Sequence, residues 1–130
     1  MTTQDARTEY SNCRRAAEKG DAASQSKLAI MYSKGSGVAR NFKTAFKWCR
    51  LAALQGHAPG QCTLGMMYYQ GEGLPKDYTR AYMWLHIAVS NGNSSAVRLQ
   101  EIVARMMSSN QIERAQDLAK ECLEKNYRGF

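Results

Sequence analysis

Residues 27–56 read KLAIMYSKGSGVARNFKTAFKWCRLAALQG, and residues 63–92 read TLGMMYYQGEGLPKDYTRAYMWLHIAVSNG. The second segment repeats the first at an offset of 36 residues with no gap. Leu28 falls on Leu64, Met31 on Met67, Tyr32 on Tyr68, Gly35 and Gly37 on Gly71 and Gly73, Ala45 on Ala81, Trp48 on Trp84, Ala52 on Ala88, and Gly56 on Gly92. Running the period backwards puts Cys49 on Cys13, Arg50 on Arg14, Ala53 on Ala17 and Gly56 on Gly20. Running it forwards, the match fades: Tyr68 falls on Ala104 and Gly71 on Met107. A fixed period of this size is the signature of stacked helical repeats, and a degenerate last unit is what a capping repeat looks like.

The motifs LGMMY, GEGL, AYMW and AVSNG, with LAIMY, GSGV, AFKW and AALQG in the earlier copy, resemble the Sel1-like repeat family, a relative of the tetratricopeptide repeat. The resemblance implies an all-α superhelix, a solenoid of about seven helices in one domain. Its expected divisions are a half repeat over 1–20, full repeats over 21–56 and 57–92, and a degenerate capping helix pair over 93–130. The family serves mainly as a binding scaffold with many unrelated partners. Pro75 keeps the family's proline before the second helix, and Ala39 departs from it.

Helix starts and stops support the same division. Asp21, Asn41 and Asp77 stand where a short polar side chain can cap a helix, and Gly20 closes the first helix at 5–19. Further helices are expected over 22–34, 42–55, 59–70, 78–90, 94–107 and 109–125. Ser108 and Gln111 form a capping box before the last. Its outer residues Glu113, Arg114, Asp117, Lys120, Glu121 and Glu124 are charged, which keeps the end of a stack soluble.

The chain carries a net charge of +7, spread from Arg7 to Arg128 without a dense run. Such a surface reads first as solvated basic faces, and nucleic acid is an unlikely partner because the aromatics sit at core positions of the repeat. No stretch approaches the roughly 20 apolar residues of a membrane helix, and no membrane insertion is expected. The first ten residues lack the apolar core of a signal peptide. Cytoplasmic residence is the expectation, with the periplasm as the alternative if a leader had been removed.

Cys13, Cys49, Cys62 and Cys122 show neither Cys-X-X-Cys nor zinc spacing, so no metal and no cofactor are expected. Secreted members of the resembled family carry disulfides at a regular spacing within each repeat. That spacing is absent here, and four reduced thiols are the expectation. His57 occupies a helix corner and His86 aligns with Arg50 and Arg14, so both read as structural residues. A Cys62–His57 pair is conceivable, but no catalytic constellation or phosphate loop stands out, and the chain reads as a non-enzyme.

In the resembled superfamily the first helix of each repeat lines a concave groove. With Leu28 and Tyr32 facing inward, the groove positions are Ser26, Ile30 and Ser33, then Cys62, Met66 and Tyr69, then Arg98, Ile102 and Arg105. Together they describe an apolar strip ending in two cations, suited to a peptide or protein partner with an apolar anchor and a carboxylate. The same residues also fit an inter-repeat core with solvated arginines. Two further alternatives are a β-lactam- or peptidoglycan-type ligand, which the resemblance implies for some secreted members, and an anionic or nucleic-acid partner on the basic surface. A ladder of Arg14, Arg50 and His86 is expected along the outer side, enlarged by Lys43 and Lys47. The first helix has no sequence partner before it, so one of its faces could be bare and available for self-association.

Overall fold

A computed structural model describes residues 3–130. Among the described residues the chain is helical, without strands: α1 (Thr3–Glu18), α2 (Ala22–Lys34), α3 (Phe42–Leu54), α4 (Ala58–Gln70), α5 (Tyr78–Ser90), α6 (Ser95–Ala104) and α7 (Ser109–Glu124). Asp21, Asn41 and Asp77 cap α2, α3 and α5 by accepting from the backbone N–H groups of Ser24, Thr44 and Arg80. Ser108 and Gln111 close the expected capping box at the start of α7. The sixth helix is shorter than expected, because the chain turns after Ala104.

Each full repeat is a tight helical pair, α2 with α3 and α4 with α5. The first helices α2, α4 and α6 touch along one layer. Small residues permit the close approach: Ala45, Ala52, Ala81 and Ala88 are buried, and a Cβ added at Gly65 would lie 2.7 Å from Leu85 Cγ.

The repeats are joined by devices that recur at the period. The Gly-X-Gly corner of one unit presses on the second helix of the unit before. Gly73 lies at φ 78°, and a Cβ there would meet the Phe42 carbonyl oxygen at 2.6 Å. Gly37 meets Ala6 of α1 in the same way. Tyr10 and Tyr32 meet edge to face with centroids 5.8 Å apart, and Phe46 and Tyr68 repeat that geometry one unit on.

A buried polar ladder runs through the stack. The side-chain amide of Gln25 donates to the Ala17 carbonyl, and that of Gln61 donates to the Ala53 carbonyl. Gln55 and Asn91 then donate to the side-chain oxygens of Gln25 and Gln61. Gln25 and Gln61 are buried, and full pairing is what makes a polar group tolerable there.

The C-terminal helix α7 packs on α5. Ala115 joins the cluster of Tyr82, Leu85 and Val103, while Ala119 and Cys122 join that of Cys49, Met83 and Trp84. Beyond α7, residues 125–130 form a strap. Asn126 and Tyr127 take positive φ values of 52° and 67° to make the bend.

Candidate functional site

The layer of first helices opens between α2 and α4. A cleft of about 460 Å³ lies between the C-terminal halves of α2 and α4 and the loop that follows α2. Ile30, Met66, Met67 and Phe42 give it an apolar lining; Lys34, Arg40 and Glu72 bring charge to it. Ile30 remains 38% exposed. The Arg40 guanidinium sits 5.2 Å from the centre of the Phe42 ring, within cation–π range.

Of the nine groove positions expected from sequence, Ile30, Ser33 and Met66 meet in this cleft. Ser26 and Cys62 do not belong to the open surface: they are 4% and 8% exposed. Cys62 shares a cluster with Ala96 at the start of α6, so neighbouring first helices converge near their N-termini and close the stripe. Tyr69 is half-buried and leans on Tyr78, centroids 5.8 Å apart, outside the cleft. Arg98 on α6 and Arg105 just past its end are exposed, with Ile102 half-buried between them in sequence, and neither arginine lines the cleft.

Lys34, Arg40, Phe42 and Glu72 were not among the expected positions. Their signal was the Gly-X-Gly corner. Gly35 adopts φ 70°, and the returning chain brings Arg40 so close that a Cβ at Gly35 would touch Arg40 Cβ at 3.3 Å.

The expected ladder of Arg14, Arg50 and His86 is dispersed into separate contacts. Arg14 pairs with Glu18 at 2.9 Å. Arg50 donates to the backbone oxygen of Phe130 at 2.7 Å. His86 stacks on Tyr82, planes 12° apart, and its Nδ1 shares a hydrogen bond with Gln100. Glu18, Phe130 and Gln100 have no like residue at the repeat offset, whereas Tyr82 under His86 recurs as Phe46 and Tyr10.

The face of α1 away from the core is polar, with Arg7, Thr8, Ser11, Asn12 and Arg15 exposed. Glu9 and Lys27 form an ion pair at 2.6 Å between α1 and α2. The repeat equivalents of these two residues are Ala45 and Thr63, so this end of the stack carries charge where the interior carries none.

All four cysteines are buried and unpaired. Burial pushes the thiol of Cys62 up, which keeps it protonated near neutral pH and unsuited to nucleophilic attack. His57 stands at the N-cap of α4 without a side-chain capping bond. Among the described residues no three His, Cys, Asp or Glu side chains gather to hold a metal ion, and no helix is long and apolar enough to cross a membrane.

Similarity to known proteins follows the same architecture. Residues 22–57 and 58–93 each match the Sel1 repeat. The crystal structure of c5321, a protective antigen present in uropathogenic Escherichia coli strains displaying an SLR fold, superposes with a TM-score of 0.91 at 28% identity, over 97% of this chain and 28% of that one. A Sel1 repeat protein from Oxalobacter formigenes superposes with a TM-score of 0.69 at 31% identity, over 70% of this chain and 26% of that one. This chain thus spans about a quarter of the length of both. No curated protein matches it. Two consecutive repeat matches, together with the recurring corners and helix pairs, place the chain in the Sel1 repeat family.

Proposed function

We propose that the chain is a non-catalytic binding module that holds a peptide segment of a partner protein in the cleft between α2 and α4. Sel1 repeats serve in general as scaffolds for protein–protein contact, which supports the coarse form of this reading. The finer form rests on one observation. The same repeat position is apolar three times, as Ile30, Met66 and Ile102, and none of the three is fully buried.

The cleft's apolar lining accepts one aliphatic or aromatic side chain of the guest, and anchoring by a single well-enclosed side chain is how many interfaces concentrate their energy. Lys34 and Arg40 favour a carboxylate beside that anchor. The expected ligand is an extended or helical peptide with a large apolar residue next to Asp or Glu.

The test is selection of binders from a random peptide library displayed against the full chain. Enriched peptides should share an apolar residue flanked by acidic ones. Met66→Glu should abolish their binding without moving the thermal midpoint. Selected peptides that bind Met66→Glu as well as the native protein would place the interaction elsewhere. A steep loss of their affinity with salt would instead favour contacts dominated by charge.

A further inference from the structure

We infer that a second pocket, formed by α5, α7, the strap and one residue of α4, is a binding site for a small organic anion with a flat apolar body. This pocket is independent of the peptide cleft. It encloses about 370 Å³ and is lined by Trp84, Met83, Leu118, Tyr68 and Phe130 on its apolar side. That volume is the scale of a small-molecule site. Tyr68 and Phe130, both half-buried, are the rings a planar guest can reach, while Trp84, 2% exposed, lies beneath as part of the wall.

Among the side chains that line the pocket, guanidinium groups outnumber carboxylates two to one. Its charged lining residues are Asp77, Arg80 and Arg114. Arg80 pairs with Asp77 at 3.2 Å, whereas Arg114 enters no ion pair among the described residues. Arg50 reaches the rim, where it donates to the backbone oxygen of Phe130. Burial raises the Tyr68 hydroxyl above its ordinary range; the Arg80 and Arg50 guanidiniums oppose that shift and Asp77 adds to it. Guanidinium groups beside aromatic surface suit a carboxylate or a phosphate ester joined to a ring, because the planar fork can take two oxygens while the ring covers apolar surface.

Trp84 lines the pocket and reports on it directly. The experiment is a fluorescence titration of the full chain carrying Trp48→Phe, so that emission comes from Trp84 alone. The probes are benzoate, phenyl phosphate, inorganic phosphate and benzylammonium. Saturable changes are expected with benzoate and phenyl phosphate, and the tighter of the two identifies the preferred head group. Inorganic phosphate should bind about tenfold more weakly for lack of an apolar body, and benzylammonium should give no saturable change. Arg114→Gln should weaken both aryl anions about tenfold, the equivalent of one charge-assisted hydrogen bond. The Trp84 indole N–H resonance of the unsubstituted chain gives the same readout if the Trp48→Phe chain folds poorly. Absence of saturation with either aryl anion overturns the inference. So does an equal response to benzylammonium, an equal affinity for inorganic phosphate, or a titration unchanged by Arg114→Gln.

Discussion

Tyr127 lies nearly parallel to Trp84, with ring centroids 6.3 Å apart and planes 12° from parallel. The tyrosine hydroxyl accepts a hydrogen bond from Asn91 at 3.1 Å, and the same ring lies 3.6 Å from where a Cβ on Gly56 would stand. One side chain of the strap therefore ties α7 to the corners that end both full repeats. Trp84 is 2% exposed, whereas its repeat equivalent Trp48 is only half-buried. The repeat supplies the tryptophan; α7 and the strap complete its burial.

Replacing Tyr127 by Ala removes that cover. The stacked pair and its area together should cost about 2 kcal/mol of stability. Part of this is offset if the shorter side chain relaxes the positive φ. The measurement is urea unfolding, paired with the emission maximum of the folded state, which should shift to the red as Trp84 gains water. An unchanged emission maximum would mean that the strap does not shield Trp84 in solution.

The glycine corners give a sharper contrast. Gly73 and Gly92 both have positive φ, 78° and 93°. A Cβ at Gly73 meets the Phe42 carbonyl oxygen, while one at Gly92 meets nothing within 4 Å. Gly92→Ala should cost about 1 kcal/mol, the strain of the backbone alone. Gly73→Ala should cost clearly more, about 3 kcal/mol, since backbone cannot step aside without opening the joint between units. Equal unfolding midpoints for the two variants would contradict this account of how repeats are joined.

Gln61 is the most demanding polar residue in the stack. It is fully buried, donates to the Ala53 carbonyl, and accepts from Asn91. Gln61→Leu keeps the volume but removes both bonds, leaving the Ala53 carbonyl with the Gly56 N–H and the Asn91 amide with the Tyr127 hydroxyl, which should cost about 1–3 kcal/mol. Unfolding curves should also show a smaller loss for Gln61→Leu combined with Asn91→Ala than the sum of the two single losses, because the bond between the two side chains can be lost only once.

How much of this was legible beforehand varies by residue. The offset of 36 residues placed the glycine corners and the caps Asp21, Asn41 and Asp77, because turn geometry and capping are local and recur with the unit. Gln25 also falls on Gln61 at that offset, yet a glutamine reads as exposed until its partners are known. Ser26 and Cys62 were placed in the groove because helical spacing gives a direction. It does not say whether adjacent helices converge there, and near their N-termini they do. Arg50 meets Phe130 across 80 residues of sequence. The strap has no counterpart in the repeat, so nothing periodic could announce that it would cover Trp84 or dismantle the arginine ladder.

The buried thiols set an alkaline limit on stability. Burial, with a smaller push from Cys62, raises the Cys49 thiol from 9.0 to about 12. Burial, helped by Glu121, raises Cys122 to about 11. Between pH 9 and these values the unfolded chain loses the thiol protons while the folded chain retains them. The unfolded state then binds fewer protons, so stability falls as pH rises. The contribution is fully present below pH 9 and is lost as pH climbs through the folded values. Urea midpoints should accordingly be insensitive to these thiols from pH 7 to 8.5 and decline from pH 9 to 10.5. Cys49→Ala should make that decline shallower, since one titrating group is gone, even though the variant starts from a lower stability. A decline equally steep in Cys49→Ala would assign the alkaline loss to other groups, such as Tyr32, whose hydroxyl is also raised to about 12 by burial and by its bond with Tyr10.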